Sequence, residues 1–461
     1  MKDGVVSDEP LRDELDALRA AVETLDAGFR DLPSTGTAAT ERLETVLLET
    51  AERLRDNFPY FHPLYAGQML KPPHPVARLA YSLAQRINPN NHALDGGRAS
   101  SRMEKEAVAE IAAMFGWRAP DLLGHLCGGG TMANLEALWV AGRSRPGGTI
   151  LASSQAHYTH GRISAVLGLP FETVPCDRLG RMDVDALERR LERGGVAAVV
   201  ATLGTTATGS VDPLPGILEA SRRSGARVHV DAAYGGYFTL VSTLDPPARA
   251  AFDRIADADS IVVDPHKNGL QPYGCGCVLF RDPEVGRFYR HDSPYTYFTS
   301  ADLHLGEISL ECSRAGASAV ALWATQRLLP LVSGGELARG LESGRAAALA
   351  LHDRIAADTR FVRALRPELD IVVWLPRAPT ASAASELSRR VFDAAARRSL
   401  HLAVAQLPVE LFALEEAGVA RDADTVACLR SVLMKPEHLE WIEEIWKRLS
   451  EAADSVRSNL R

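Results

Sequence analysis

Residues 260–280 read SIVVDPHKNGLQPYGCGCVLF. The run SIVVD and the run GCVLF are short, apolar and rich in β-branched residues, so each predicts a core strand. Between them lies a short polar turn that holds His266 and Lys267. Lysine is almost never buried without a partner. A lysine in such a turn is either a surface residue or one with work to do. Cys275 and Cys277 form a CxC pair, but no second Cys/His pair at zinc spacing accompanies them. The pair reads as two strand residues on one face, and no metal site is expected.

Outward from this stretch the pattern repeats. TILA (149–152), VAAVVATL (196–203) and RVHVD (227–231) are further strand-like runs, with helical segments at 183–194 and 214–224 between them. Short continuous apolar strands alternating with helices predict an α/β domain, here 91–330, with a mostly parallel sheet covered on both faces. Ser101-x-x-Glu104 reads as a capping box opening a helix there. Before it, residues 1–90 predict a helical arm. Leu11, Leu15, Leu18, Val22, Leu25 and Phe29 make one narrow apolar stripe suited to a partner surface, and 41–58 predicts a second helix. After it, 331–461 predicts a smaller α+β lobe, with strands at DIVVWLP (370–376), near 400 and at VACLRSVLM (426–434).

Composition narrows the class. The 461 residues carry a formal charge of −8 and are 46% apolar and 24% charged, as in soluble globular proteins. The acidic balance, with no long basic run, argues against nucleic-acid binding. No apolar run approaches the roughly 20 residues that span a bilayer. The polar start MKDGVVSDEP shows no signal peptide, and six cysteines do not make a disulfide framework, so a reducing cytoplasm is expected.

Ligands of an open parallel sheet bind beyond the carboxyl ends of its strands. LCGGGTMANLEAL (126–138) puts Gly128, Gly129, Gly130 and Thr131 at a helix N-terminus, where free N–H groups and the helix dipole suit a phosphate, although glycine there also makes a plain tight turn. SSQAHYTHGR (153–162) puts His157 after a strand, as a site residue or a polar loop histidine. ATLGTTATGSVDP (201–213) adds Thr205 and Thr206. VHVDAAYGGYF (228–238) ends a strand on Asp231, followed by Ala232 and Ala233. A carboxylate in so apolar a setting needs a cation or a ligand. A phosphate seat, a histidine, two threonines, an acid and a lysine together match the needs of pyridoxal phosphate.

These pieces resemble the group II pyridoxal-phosphate-dependent amino-acid decarboxylases of the aspartate-aminotransferase-like fold (fold type I). The matching stretches also include HPLYAGQMLKPPHP (62–75), NPNNHALDGG (88–97) and LECSRAGASAVALW (310–323), in family order over about 60–330. Asp231 and Lys267 stand 36 residues apart, and DPHK-x-G-x-x-PYG is most similar to the bacterial and archaeal tyrosine decarboxylase branch. The resemblance implies a large domain built on a seven-stranded-type sheet, a small C-terminal domain, and a homodimer with shared sites. It implies that Lys267 binds the cofactor aldehyde, Asp231 pairs with the pyridine nitrogen and His157 stacks on the ring. Gly130, Thr131 and His266 would contact the phosphate, Thr206 and Ala233 would lie against the ring, and Gly129 and Asp264 would also bind the cofactor. Ser313 and Arg314 would reach a cofactor site, the neighbour's. Asn91 and His92 would line the substrate side, and Arg430 would meet a substrate carboxylate. The implied reaction loses CO2 from an L-amino acid, aromatic favoured, through a quinonoid that a loop tyrosine, Tyr295 or Tyr297, protonates to give the amine. LECSR is also similar to the glutamate branch, so an acidic substrate stays open. Two other readings remain: a related enzyme of the same cofactor (decarboxylative aldehyde synthase, carbon–carbon lyase or aminotransferase), and a non-catalytic cofactor-binding protein.

Overall fold

The structure, a computed structural model, describes residues 9–33, 41–118, 120–290 and 304–458. Three helices open the chain: α1 (Glu9–Ala27), α2 (Leu43–Leu54) and α3 (Pro75–Gln85). α1 lies on α3, fastened by the Glu14–Arg78 and Asp26–Arg86 ion pairs. α2 buries none of its residues; Leu47, Leu48 and Leu54 are exposed, as is Phe61 just beyond it.

A seven-stranded sheet follows, built from β1 (Leu123–Cys127), β2 (Thr149–Ser153), β3 (Phe171–Val174), β4 (Val196–Thr202), β5 (Arg227–Asp231), β6 (Ser260–Val263) and β7 (Gly276–Phe280). Its order is β1-β7-β6-β5-β4-β2-β3. All neighbours from β6 to β3 run parallel, and only β7 is antiparallel, to both β6 and β1. Helices α4 (Arg98–Met114), α5 (Gly130–Ser144), α6 (Thr159–Leu167), α7 (Val184–Leu191), α8 (Leu214–Ser224), α9 (Pro246–Asp253) and α10 (Gly316–Leu328) pack around it. Every residue of β4 is buried, which is why that strand reads as an unbroken apolar run rather than an alternating one. Cys275 and Cys277 both lie in the apolar core.

The capping box is a correction. α4 begins at Arg98, one turn before Ser101, with Gly97 at its N-cap. Glu104 is therefore inside the helix. Its buried carboxylate accepts from Arg314 Nη1 at 2.7 Å, Leu126 N at 3.0 Å and Asn91 Nδ2 at 2.6 Å.

The C-terminal part is a four-stranded antiparallel sheet, order β10-β11-β9-β8, formed by β8 (Phe361–Arg363), β9 (Ile371–Pro376), β10 (Ala403–Pro408) and β11 (Thr425–Val432). It is covered by α11 (Glu336–Ala357), α12 (Ala381–Ala396) and α13 (Ile442–Ser458). β11 carries Arg430 toward the end of the large sheet.

Candidate active site

A cavity of about 550 Å3 opens at the carboxyl ends of β1, β2, β4, β5 and β6. Its floor is the N-terminus of α5. β1 lies at one edge of the sheet and β2 near the other, so α5 must cross the sheet face and touches β1, β4, β5, β6 and β7 on the way. The turn into it demands glycine. Gly129 has φ 142°, and a Cβ on Gly276 would sit 2.5 Å from the Gly129 Cα. A Cβ on Gly130 would meet the Asp264 carboxylate at 2.7 Å. The first N–H groups of α5 line the cavity with no side-chain cap bonded to them, an anion seat beside Asp264 and His266. Gly128 N donates to Glu311 Oε2 at 3.0 Å, so Glu311 closes one side of the seat.

Asp231 ends β5 and lines the cavity while almost fully buried. Its Oδ2 lies 2.9 Å from His160 Nε2, and its Oδ1 accepts from Ala233 N at 3.1 Å. Burial opposes its charge, but the His160 hydrogen bond and the fields of His160 and Lys267 outweigh that. The carboxyl is held well below the usual carboxylate range. A permanent buried anion thus faces the cavity.

Lys267 sits in the β6–β7 turn with Nζ 3.0 Å from Asp264 Oδ2. The other oxygen of Asp264 is buried with no hydrogen-bond partner among the described residues. His266 donates Nδ1–H to the Cys275 carbonyl at 2.8 Å, so its Nε2 is the free face, directed toward Asp264 at 3.6 Å. Tyr273 packs on His266 with ring centroids 4.8 Å apart and the planes tilted by 38°. His157, half-buried, accepts Thr159 N–H at Nδ1 over 3.2 Å, and burial lowers its pKa. A neutral imidazole of fixed orientation results.

The cavity therefore collects Gly129, Gly130, Thr131, His157, Thr206, Asp231, Ala233, Asp264, His266 and Lys267. Thr205 is buried behind it, hydrogen-bonded to Thr208. Other expected residues lie elsewhere. Asn91 and Arg314 are locked into the Glu104 cluster, and Ser313 accepts from Asn90. None of these, nor His92, lines the cavity of its own chain. Arg430 stands one layer out: it donates to the Thr206 carbonyl at 2.8 Å and to Gln68 Oε1 at 3.1 Å, and its Nε has no partner among the described residues. Tyr295 and Tyr297 lie outside the described residues. Sequence reasoning missed His160, Asn134, Tyr273 and Glu311. His160 had a signal: it follows His157 by three residues, one helical turn, in a segment entering a helix.

These residues fit pyridoxal phosphate. An anion seat, a permanently ionised acid, an amine and a flat neutral ring surround one cavity of suitable size.

Comparison with known proteins agrees. The conserved domain of pyridoxal-dependent decarboxylases matches residues 148–375. The L-tyrosine decarboxylase of Enterococcus faecium is 27% identical over 77% of this chain and 76% of its own. A probable L-tyrosine/L-aspartate decarboxylase of Methanothermobacter thermautotrophicus is 31% identical, over 57% of this chain and 70% of its own. The crystal structure of Oryza sativa TDC with PLP and tryptamine superposes with a TM-score of 0.77 over 99% of both chains at 18% identity, which establishes the shared fold, type I. With pyridoxal phosphate as its cofactor, this chain belongs to the pyridoxal-dependent decarboxylase family of amino-acid carboxy-lyases.

Proposed function

We propose that the chain decarboxylates an aromatic L-amino acid, L-tyrosine first among them, to the amine and CO2. The observation that carries the choice is the charge of the cavity. Among the described residues lining it, Lys267 is the only lysine and there is no arginine, while Met132, Leu135 and Tyr273 give it apolar wall. The side-chain carboxylate of aspartate would need a cation of its own there. L-aspartate is the second reading, supported by relatives named for it, such as the Aliivibrio fischeri aspartate 1-decarboxylase.

Bound pyridoxal phosphate supplies an aldehyde for amines to condense with and a ring that accepts the electrons of the broken bond. The chain's own groups would do the rest. The α5 N-terminus, with Gly129, Gly130, Thr131 and His266, would hold the phosphate. Lys267 would hold the aldehyde end. Asp231, always charged, would keep a proton on the ring nitrogen. His157 would lie flat on the ring, with Thr206 and Ala233 against it. Arg430 would draw the substrate carboxylate toward Thr206, and Tyr295 or Tyr297 would give the proton to Cα.

A homodimer fits the exposed leucines of α2 and Phe61, and would let His92 and Ser313 approach a neighbour's cavity, with Asn91 and Arg314 behind them in the Glu104 cluster. All six cysteines are unpaired, which suits a reducing cytoplasm. Among the described residues no helix is long and apolar enough to cross a membrane.

The test is mass-spectrometric product analysis of the cofactor-loaded protein with L-tyrosine, L-tryptophan and L-aspartate, in air and without oxygen. Tyramine in both atmospheres supports the proposal. β-Alanine alone moves the substrate to aspartate. An aldehyde that needs oxygen moves the chemistry to oxidative deamination.

A further inference from the structure

Asn134 and His229 have no part in the scheme above, yet both are buried, Asn134 in the wall of the cavity and His229 behind it. Asn134, in the second turn of α5, donates Nδ2–H to the Gly130 carbonyl at 2.8 Å. That commits its nitrogen and turns Oδ1 toward β5, where His229 Nε2 lies 2.8 Å away. An amide oxygen only accepts, so Nε2 carries the proton. Burial pushes the imidazole down to about 3 in spite of nearby Asp231, so the ring is neutral and Nδ1 is bare. Nδ1 then accepts the Ser260 hydroxyl at 2.9 Å. The direction of every bond is fixed: Ser260 to His229 to Asn134 to Gly130.

This line ties β6 and β5 to the first turn of α5. His229 and Asp231 lie two apart on β5, on one face of the sheet. Gly130 opens the helix whose N-terminus is the anion seat. The line therefore sets the distance between seat and acid. The other buried polar tie from α5 to the sheet, Glu136 to His125 at 3.0 Å, runs to β1 and not to β5; Ala133, Ala137 and Val140 add apolar contact, which is non-directional.

We propose that Ser260–His229–Asn134 is a positioning relay. It holds the α5 N-terminus at the span from Asp231 that a 5′-phosphorylated pyridine ring requires, and so makes the chain select pyridoxal phosphate over unphosphorylated pyridoxal. The proposal rests on the reading of the α5 N-terminus as the phosphate seat.

The experiment uses full-length cofactor-free protein and measures dissociation constants for pyridoxal phosphate and for pyridoxal by tryptophan fluorescence quenching, beside the thermal midpoint. Asn134→Ala is expected to weaken pyridoxal phosphate about tenfold or more, the scale on which such outer supports act in metal sites, and pyridoxal by less than about threefold. His229→Gln should fall between Asn134→Ala and wild type. Equal weakening of both ligands, or a lower midpoint with an unchanged ratio of constants, overturns the relay and leaves the network merely structural. If Asn134→Ala does not fold, Ser260→Ala removes one neutral hydrogen bond at the far end. It should narrow the phosphate preference about fivefold, and an unchanged preference overturns the proposal. A wild-type protein that binds both ligands alike refutes the phosphate-seat reading itself, a failure separate from that of the relay.

Discussion

Replacing Arg314 by methionine separates two roles for that residue. Its guanidinium is buried and reaches Glu104 at 2.7 Å. Glu104 is buried too, and its remaining donors, Leu126 N and Asn91 Nδ2, are neutral. Methionine keeps most of the stem's volume and removes the cation, stranding a buried carboxylate. Losing one partner of such a pair costs about 3–5 kcal/mol. A chain of 461 residues has an unfolding entropy of about 1 kcal/mol/K, so the midpoint should fall by about 3–5 °C. The assay is calorimetry of the cofactor-free protein, in which a lost cofactor contact cannot contribute. Adding Glu104→Gln should return part of the loss, because an amide needs no cation. A cofactor-free midpoint within about 1 °C of wild type would refute the clamp and leave Arg314 to the neighbour's site.

Lys267→Ala should bind pyridoxal phosphate without the visible band of the lysine-bound aldehyde; an unchanged spectrum would move the amine elsewhere. Burial, helped by the Lys71 charge, pushes Lys435 down to about 7, while an unfolded lysine keeps its proton to about 10.4. Between those values the unfolded chain binds more protons, so the wild type should gain stability over Lys435→Met from pH 7 to 9, by at most about 1.4 kcal/mol per unit. Denaturant curves that stay parallel across that range would remove the effect. Leu47→Asp with Leu48→Asp should shift the sedimentation coefficient to that of a monomer, because both side chains are exposed on the arm; an unchanged dimer would put the interface elsewhere.

The sheet was legible wherever a strand was buried on both faces, because β4, β5, β6 and β7 then read as apolar runs between glycines and site residues. β1 escaped because LGHLC is broken by a glycine and by His125, whose place in the core depends on Glu136, 3.0 Å away on α5. β3 escaped because Glu172 and Thr173 are exposed, and α3 because prolines surround it. Asp231, Lys267 and the glycines of the seat were legible because each needs its neighbours in sequence to take its position. His229 and Asn134 were not, because each acts through a partner far along the chain, 95 residues away; His160 left only its spacing from His157 as a signal, its partner Asp231 standing 71 residues on. Glu104 was misread for the same reason. Its local spacing named a helix cap, and its true partner stands 210 residues on.

The single antiparallel strand of the large sheet also bears on the order of assembly. β6 and β7 pair directly, closed by the residues 264–275 that carry Lys267. This twelve-residue loop is long for a hairpin but far shorter than the other closures of the site, so it closes fast and against less chain entropy. The acid and the anion seat come from β5 and from the end of β1, the latter more than a hundred residues earlier, and need long loops to close. The amine is thus expected to be presented before the groups that make it selective. Tight cofactor capture then reports that the most distant contacts have formed, and a nascent chain meeting free aldehyde carries this lysine exposed and unguarded until they do.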